Sequence, residues 1–141
     1  MVRTEGREDG MASPILAPML RGSVIEAQDF VIAEWQDSGA EGRRPIAPLH
    51  LHHLDDEAWY VLEGVLGVQV GDREVEAHSG AAVMAPRGTP HTYWNAGSGL
   101  LRYLLIMTPN TNRLIQAIHA ASDRSPAAMR ELFLRFDSEL V

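Results

Sequence analysis

From residue 24 to residue 107 this chain is cut into short β-rich runs by glycine and proline, and that punctuation limits its fold more than any other feature. The runs cover 24–35, 49–53, 57–62, 65–70, 74–78, 81–85, 91–95 and 100–107. Between them lie turn signals: a loop over 37–48 with Gly39, Gly42, Pro45 and Pro48, then Glu63-Gly64, Gly71-Asp72-Arg73, Ser79-Gly80, Pro86-Arg87-Gly88 and Ala96-Gly97-Ser98-Gly99. Leu66, Val68 and Val70 alternate with Gly67 and Gln69, the period of a half-buried strand. Many short strands at regular turn spacing predict an all-β sandwich or barrel.

The period changes after Thr108-Pro109. Leu114, Ile115 and Ile118 mark one helical face. Ser125-Pro126 then reads as a helix start, an N-cap serine followed by proline in the first turn. Met129, Leu132, Phe133 and Phe136 follow at i, i+3, i+4 and i+7. This stripe is expected to pack on the barrel, with a lid or a dimer contact as the alternative. His119 is expected at the surface. Three segments are predicted: a flexible arm over 1–22, a barrel over 23–109 and a helical extension over 110–141. Residues 1–10 are polar and expected to be disordered, and Pro14 and Pro18 keep the rest of the arm extended.

Composition narrows the function. The net charge of −7 gives no generic attraction to phosphate backbones, so nucleic acid is not an expected partner. With no cysteine, disulfides, thiolate metal sites and cysteine nucleophiles are excluded. The apolar run at 100–107 contains Arg102 and is far shorter than the ~20 residues of a membrane span. The start of the chain lacks the apolar core of a signal peptide. A cytoplasmic setting is the expectation, with no membrane partner.

Chemistry concentrates in four residues: His50, His52, Glu57 and His91. Side chains at i and i+2 of a strand share a face, so His50 and His52 point the same way. Three imidazoles and one carboxylate suit a divalent transition ion: Fe, Mn, Ni, Co, Cu or Zn. A His-x-His pair alone is also what a solvent-facing edge strand can show. His53 is out of phase with the pair, and Asp55 and Asp56 read as turn residues. If Glu57 faces inward, so do Trp59 and Val61; if His91 does, so does Tyr93. Tyr60, Leu62 and Trp94 then face outward. The expected substrate pocket is walled by Trp59, Val61, Leu66, Val68, Val83 and Tyr93, with core filling the alternative role for the aromatics.

The wider pattern strengthens the metal reading. The chain reads His50-x-His52-x4-Glu57-x6-Gly64 and later Gly80-x5-Pro86-x-Gly88-x2-His91-x3-Asn95. These strings resemble the two motifs of the cupin superfamily. The second matches throughout. The first departs at its start, where the family usually has glycine and this chain has Arg44, with Gly42 nearby. The resemblance implies a small jelly-roll β-barrel, a metal held by the four named residues and a homodimer paired through its sheets, as the outward Tyr60, Leu62 and Trp94 would favour. It points to a metal-dependent oxygenase or dioxygenase of the quercetin-cleaving type. The expected substrate is a small apolar or aromatic oxygen-bearing molecule, and Glu57 doubles as a catalytic base. A non-catalytic metal or ligand-binding module and an oxygen-independent isomerase, cyclase or decarboxylase are the alternatives.

Overall fold

Alternating burial along the strands builds two facing antiparallel sheets. The computed structural model describes residues 3–4 and 14–141. The expected disorder of residues 1–10 therefore falls, apart from 3–4, outside the described residues. In chain order the strands are β1 (Arg3–Thr4), β2 (Ile15–Leu16), β3 (Val24–Glu26), β4 (Val31–Asp37), β5 (Pro45–His52), β6 (Glu57–Glu63), β7 (Val65–Val70), β8 (Arg73–His78), β9 (Ala82–Ala85), β10 (His91–Asn95) and β11 (Leu101–Met107). Helices α1 (Pro109–Ala120) and α2 (Pro126–Arg135) follow, and β12 (Ser138–Leu140) ends the fold.

One sheet runs β12-β5-β10-β7-β8 and the other β3-β4-β11-β6-β9. The short β1 and β2 pair with each other. The two five-stranded sheets are not hydrogen-bonded into a closed ring, but their order is that of a jelly roll. β11 shows the logic most plainly: Leu101, Tyr103, Leu105 and Met107 are buried while Arg102, Leu104 and Ile106 are only partly so. The inward residues of both sheets, among them Val31, Trp59, Val61, Leu66, Val68 and Leu105, form one core.

Two local differences from the sequence reading have clear causes. β5 begins at Pro45 rather than near residue 49, although the stretch carries Pro45 and Pro48. On its other side it meets β12 only through His50, Leu51 and His52, so both prolines lie where one edge is unpaired and a missing N–H is tolerated. The turn expected near Arg44 is displaced, as Gly42 (φ +70°) takes the left-handed conformation and accepts from the Arg44 amide at 2.9 Å.

Trp94 lies on the outer face as expected, yet is only 6% exposed. Its indole lies on Gly67 of the neighbouring strand, where any Cβ would collide with the ring. The Arg43 guanidinium covers the same ring at 4.7 Å.

The C-terminal segment is more than a helical appendage. Thr108 and Ser125 cap α1 and α2, each followed by proline in the first turn. Leu114, Leu132 and Phe133 form a second small core. The chain then returns as β12 to become the edge strand beside β5.

Candidate metal centre

Strand pairing brings the four candidate ligands together. His50 and His52 project from β5, and His91 of β10 is paired directly opposite His50. Their rings crowd one another, with His50 and His91 centroids 4.4 Å apart. Glu57 opens β6 in the facing sheet and reaches across to them. All four are buried, and one ligand atom from each lies within 4.8 Å of the others.

Ring orientation is fixed by what each Nδ1 touches. His50 Nδ1 lies 2.6 Å from the Pro48 carbonyl and His91 Nδ1 3.0 Å from the Thr89 carbonyl. A carbonyl only accepts, so both Nδ1 atoms carry the proton and donate. His52 Nδ1 lies 2.7 Å from Ser138 Oγ. That hydroxyl donates to the Phe136 carbonyl at 3.1 Å, so it accepts from His52. With the Nδ1 proton fixed in this way, Nε2 is the atom left to bind, and in His52 and His91 it faces Glu57. The Oε2 atom of Glu57 is 3.0 Å from His52 Nε2 and 2.9 Å from His91 Nε2. Lone pairs facing a carboxylate at such distances require a positive charge among them, a proton or a metal ion. Two ligands at ~2.1 Å from one ion and at right angles to each other lie about 3.0 Å apart, so the spacing fits a shared ion. The donor set and its outer hydrogen bonds suit a divalent transition metal.

Charge regulation agrees with that role. Burial, with the nearby His91 charge, lowers the His50 pKa to about 4, so this ring is neutral and ready to bind at pH 7. Burial works to raise Glu57, but the His52 and His91 rings, which donate from Nε2 when protonated, outweigh it and hold the carboxylate at about 2. Burial works to lower His91, yet its Glu57 partner prevails and raises it.

The pH dependence of the metal-free protein follows. For His50 the unfolded chain binds more protons between pH 6.5 and 4, so that range lowers stability as pH falls, by roughly 3 kcal/mol. Glu57 adds a further loss from pH 4.5 toward 2. His91 acts oppositely, its contribution being full below pH 6.5 and lost as pH rises through its folded value. Thermal melts of metal-free protein should show a falling midpoint from pH 6.5 to 4. Because the His91 pKa is raised, metal binding should displace its proton, and calorimetry in buffers of different ionisation enthalpy would detect the release.

The neighbouring loops are tied to the site without entering it. Asp55 accepts from Thr108 Oγ1 and Asn110 Nδ2, both at 2.9 Å, joining the ligand loop to the start of α1. Asp56 accepts from the Arg87 amide at 2.8 Å and from its guanidinium, linking the two motif loops. His53 faces away, 3.2 Å from Glu139.

A cavity of about 260 Å³ opens from the ligands toward the helices. Of the six residues expected to wall it, only Tyr93 does so. Trp59, Val61, Leu66 and Val68 are fully buried in the core, and Val83 packs against that core. Trp59 supports the site from beneath, its ring 5.6 Å from His91 and 5.2 Å from Tyr93. The walls come instead from Trp35, Tyr103 and Leu105 of the sheet, Leu114, Ile115 and Ile118 of α1, and Phe133 of α2. His119 and Arg124 stand exposed at the rim, His119 with its edge to Trp35 at 5.7 Å. Inward parity on β4 and β11 would have located Trp35 and Tyr103. Nothing local places α1 and α2 over the mouth.

The fold and site together define a jelly-roll protein with a buried His3Glu group able to hold a metal ion, and comparison with known proteins agrees. Residues 41–107 match the family described as Cupin domain, just under half of the chain. A structure of a putative sugar phosphate isomerase from Acidithiobacillus ferrooxidans is similar at 26% identity and TM-score 0.50, over 57% of this chain and 50% of that one. The chain thus spans only half the length of that relative. A polyketide cyclase from Streptomyces resistomycificus is similar at 31% identity and TM-score 0.49, over 58% of this chain and 64% of that one. A cupin protein from Bacteroides fragilis shares the fold at 11% identity and TM-score 0.55, over 66% of this chain and 81% of that one. No curated protein matches the chain in sequence. Residues 41–107 thus match a cupin domain, and the chain has the fold of cupin structures.

Proposed function

We propose that this cupin is a metal-dependent oxygenase acting on a small, mostly apolar or aromatic molecule with an enol or phenol oxygen. The observation that carries the reading is the buried His3Glu group at the end of a cavity walled by aromatic and aliphatic side chains. A bound divalent ion would supply Lewis acidity toward a substrate oxygen and positions not filled by protein. The chain's own residues would do the rest. Trp35, Ile115, Ile118 and Phe133 exclude water and hold an aromatic body. Burial raises the pKa of Tyr93 and of Tyr103, so both phenols stay protonated and can donate to a substrate oxygen. Glu57, held low by its histidine partners, serves as ligand and counter-charge, and accepts a substrate proton only on leaving them.

Oxygen uptake by metal-loaded protein with a panel of enols and phenols tests the reading, and no uptake with any member sinks it. The second reading, an oxygen-independent isomerase, is favoured by the similarity to the Acidithiobacillus protein. A sugar phosphate would place many hydroxyls against apolar walls, which counts against that substrate class. Turnover under strict anaerobiosis would separate the two. A non-catalytic binding role is the outcome if ligands bind and no condition gives turnover.

The rim adds a preference. Burial along α1 declines from Thr111 and Leu114 to the exposed His119, and Arg124 follows beyond the helix. A substrate with its reactive oxygen inward and an anionic group outward would meet these two side chains. Arg124→Ala should weaken binding of a carboxylate-bearing aromatic, relative to its uncharged analogue, by roughly 2- to 5-fold, the scale of an exposed ion pair. Equal effects on both ligands in calorimetry would refute this preference.

A homodimer through the outer face of the β3-β4-β11-β6-β9 sheet is part of the same proposal. That side presents Phe30, Leu54, Tyr60 and Met84 at 69, 61, 38 and 63% exposure, and Trp94 plays no part in it. Sedimentation velocity showing a monomer at all concentrations would exclude the pairing.

A further inference from the structure

We propose that Ser138 is a positioning residue for His52, and that through it metal binding and docking of the C-terminal strand form one coupled equilibrium. The proposal rests on the metal reading of the four-residue site, and its test separates the two.

The three histidines are not oriented by the same means. His50 and His91 lean on the carbonyls of Pro48 and Thr89, each two residues earlier in their own segments. Those contacts are local and form wherever the strand and its loop form. His52 leans on Ser138, 86 residues away in sequence. Its orientation therefore depends on a tertiary event, the arrival of β12 beside β5.

That arrival is specific. β12 pairs with β5 in the register Ser138↔His52 and Leu140↔His50, so the tail lies along both strand ligands. The His53 amide donates to the Asp137 carbonyl at 2.8 Å and the Val141 amide to the Leu49 carbonyl at 3.1 Å. Between α2 and β12 the chain turns through Asp137, a non-glycine residue at φ +54°. A side chain in that region is disfavoured, so neighbouring contacts must hold the turn. The Phe136 carbonyl accepts from Ser138 Oγ at 3.1 Å and from Asn110 Nδ2 at 2.9 Å. With its proton committed to Phe136, the hydroxyl offers His52 Nδ1 only a lone pair. This keeps the His52 proton on Nδ1 and the Nε2 lone pair toward the metal position. Ser138 is 1% exposed, so water does not take over the role. Phe133, which walls the cavity and lies 5.6 Å from the His50 ring, belongs to the same docked unit.

If docking improves metal affinity by some factor, metal must stabilise docking by the same factor, because linkage is reciprocal. An ion would then also hold the cavity wall that α2 provides.

The test uses the full chain, Ser138→Ala and Ser138→Thr. Nitrogen-15 NMR of metal-free protein at pH 8 reports the His52 tautomer. Chelator competition with Co(II) reports affinity, and hydrogen exchange over residues 136–141 reports docking. For Ser138→Ala, Co(II) affinity should drop about 10- to 100-fold, the usual cost of losing such an outer partner. His52 should lose its uniform Nδ1–H form while His91 keeps its own. Co(II) should protect the tail less than in the parent protein, and Ser138→Thr should restore all three. An unchanged tautomer and affinity in Ser138→Ala would overturn the proposal. So would equal losses in Ser138→Ala and Ser138→Thr that merely follow lowered thermal stability. If the parent protein takes up no divalent ion, the metal reading fails, and the His52 tautomer still decides whether Ser138 positions that ring.

Discussion

Glu57→Gln should lower the affinity of this protein for divalent transition ions by at least about 100-fold, more than the loss of an outer-shell partner costs. The substitution keeps the side chain's size and removes its charge. His52 and His91 now each place an Nε2 atom about 3 Å from a carboxylate oxygen. With an amide there, nothing offsets the positive charge of an ion gathered among three imidazoles. Any oxygen uptake by the parent protein should be lost as well. Metal titration under chelator competition checks the affinity. An unchanged value would remove Glu57 from the ligand set. His91 should also lose its raised pKa, since that shift depends on Glu57 overcoming the effect of burial.

Trp59→Ala should cost about 3–5 kcal/mol in denaturant unfolding, the range for deleting a large aromatic from a packed core. Trp59 is fully buried, in contact with both His91 and Tyr93. The void should let the His91 ring tilt, so metal affinity should fall along with stability. Trp59→Phe keeps most of the volume and should cost much less. A Trp59→Ala protein of full stability would contradict its place in the core. The result also separates two roles that sequence alone left open, because a substrate-wall residue would change ligand binding more than folding.

How much was legible follows from the range of each signal. Strand parity is local, and it placed Glu57, Trp59, Val61, His91 and Tyr93 on inward faces and His53 outside the ligand group. Parity reports a face, however, and not what covers it. Trp94 does lie on the outer face, yet Gly67 and Arg43 bury it. Val61, Leu66 and Val68 face inward as expected, but lie deeper than the cavity and fill the core. The helical stripe at Leu114, Ile115, Ile118 and Phe133 was readable as periodicity. The surface it meets was not, since that depends on the closing path after β11. Ser138 left no signal at all: a serine near the end of a chain becomes informative only once β12 is paired with β5.

Metal content bears most directly on the central claim. Tag-free protein and a His52→Ala, His91→Ala double variant would be analysed side by side by mass spectrometry, as purified and after reconstitution. The expected result is close to one divalent transition ion per parent chain and almost none in the variant. Iron, copper or nickel would direct the search for activity toward oxygen chemistry, and zinc toward isomerase, cyclase or structural roles. No ion in either protein after reconstitution, or equal content in both, would contradict a metal centre at His50, His52, Glu57 and His91.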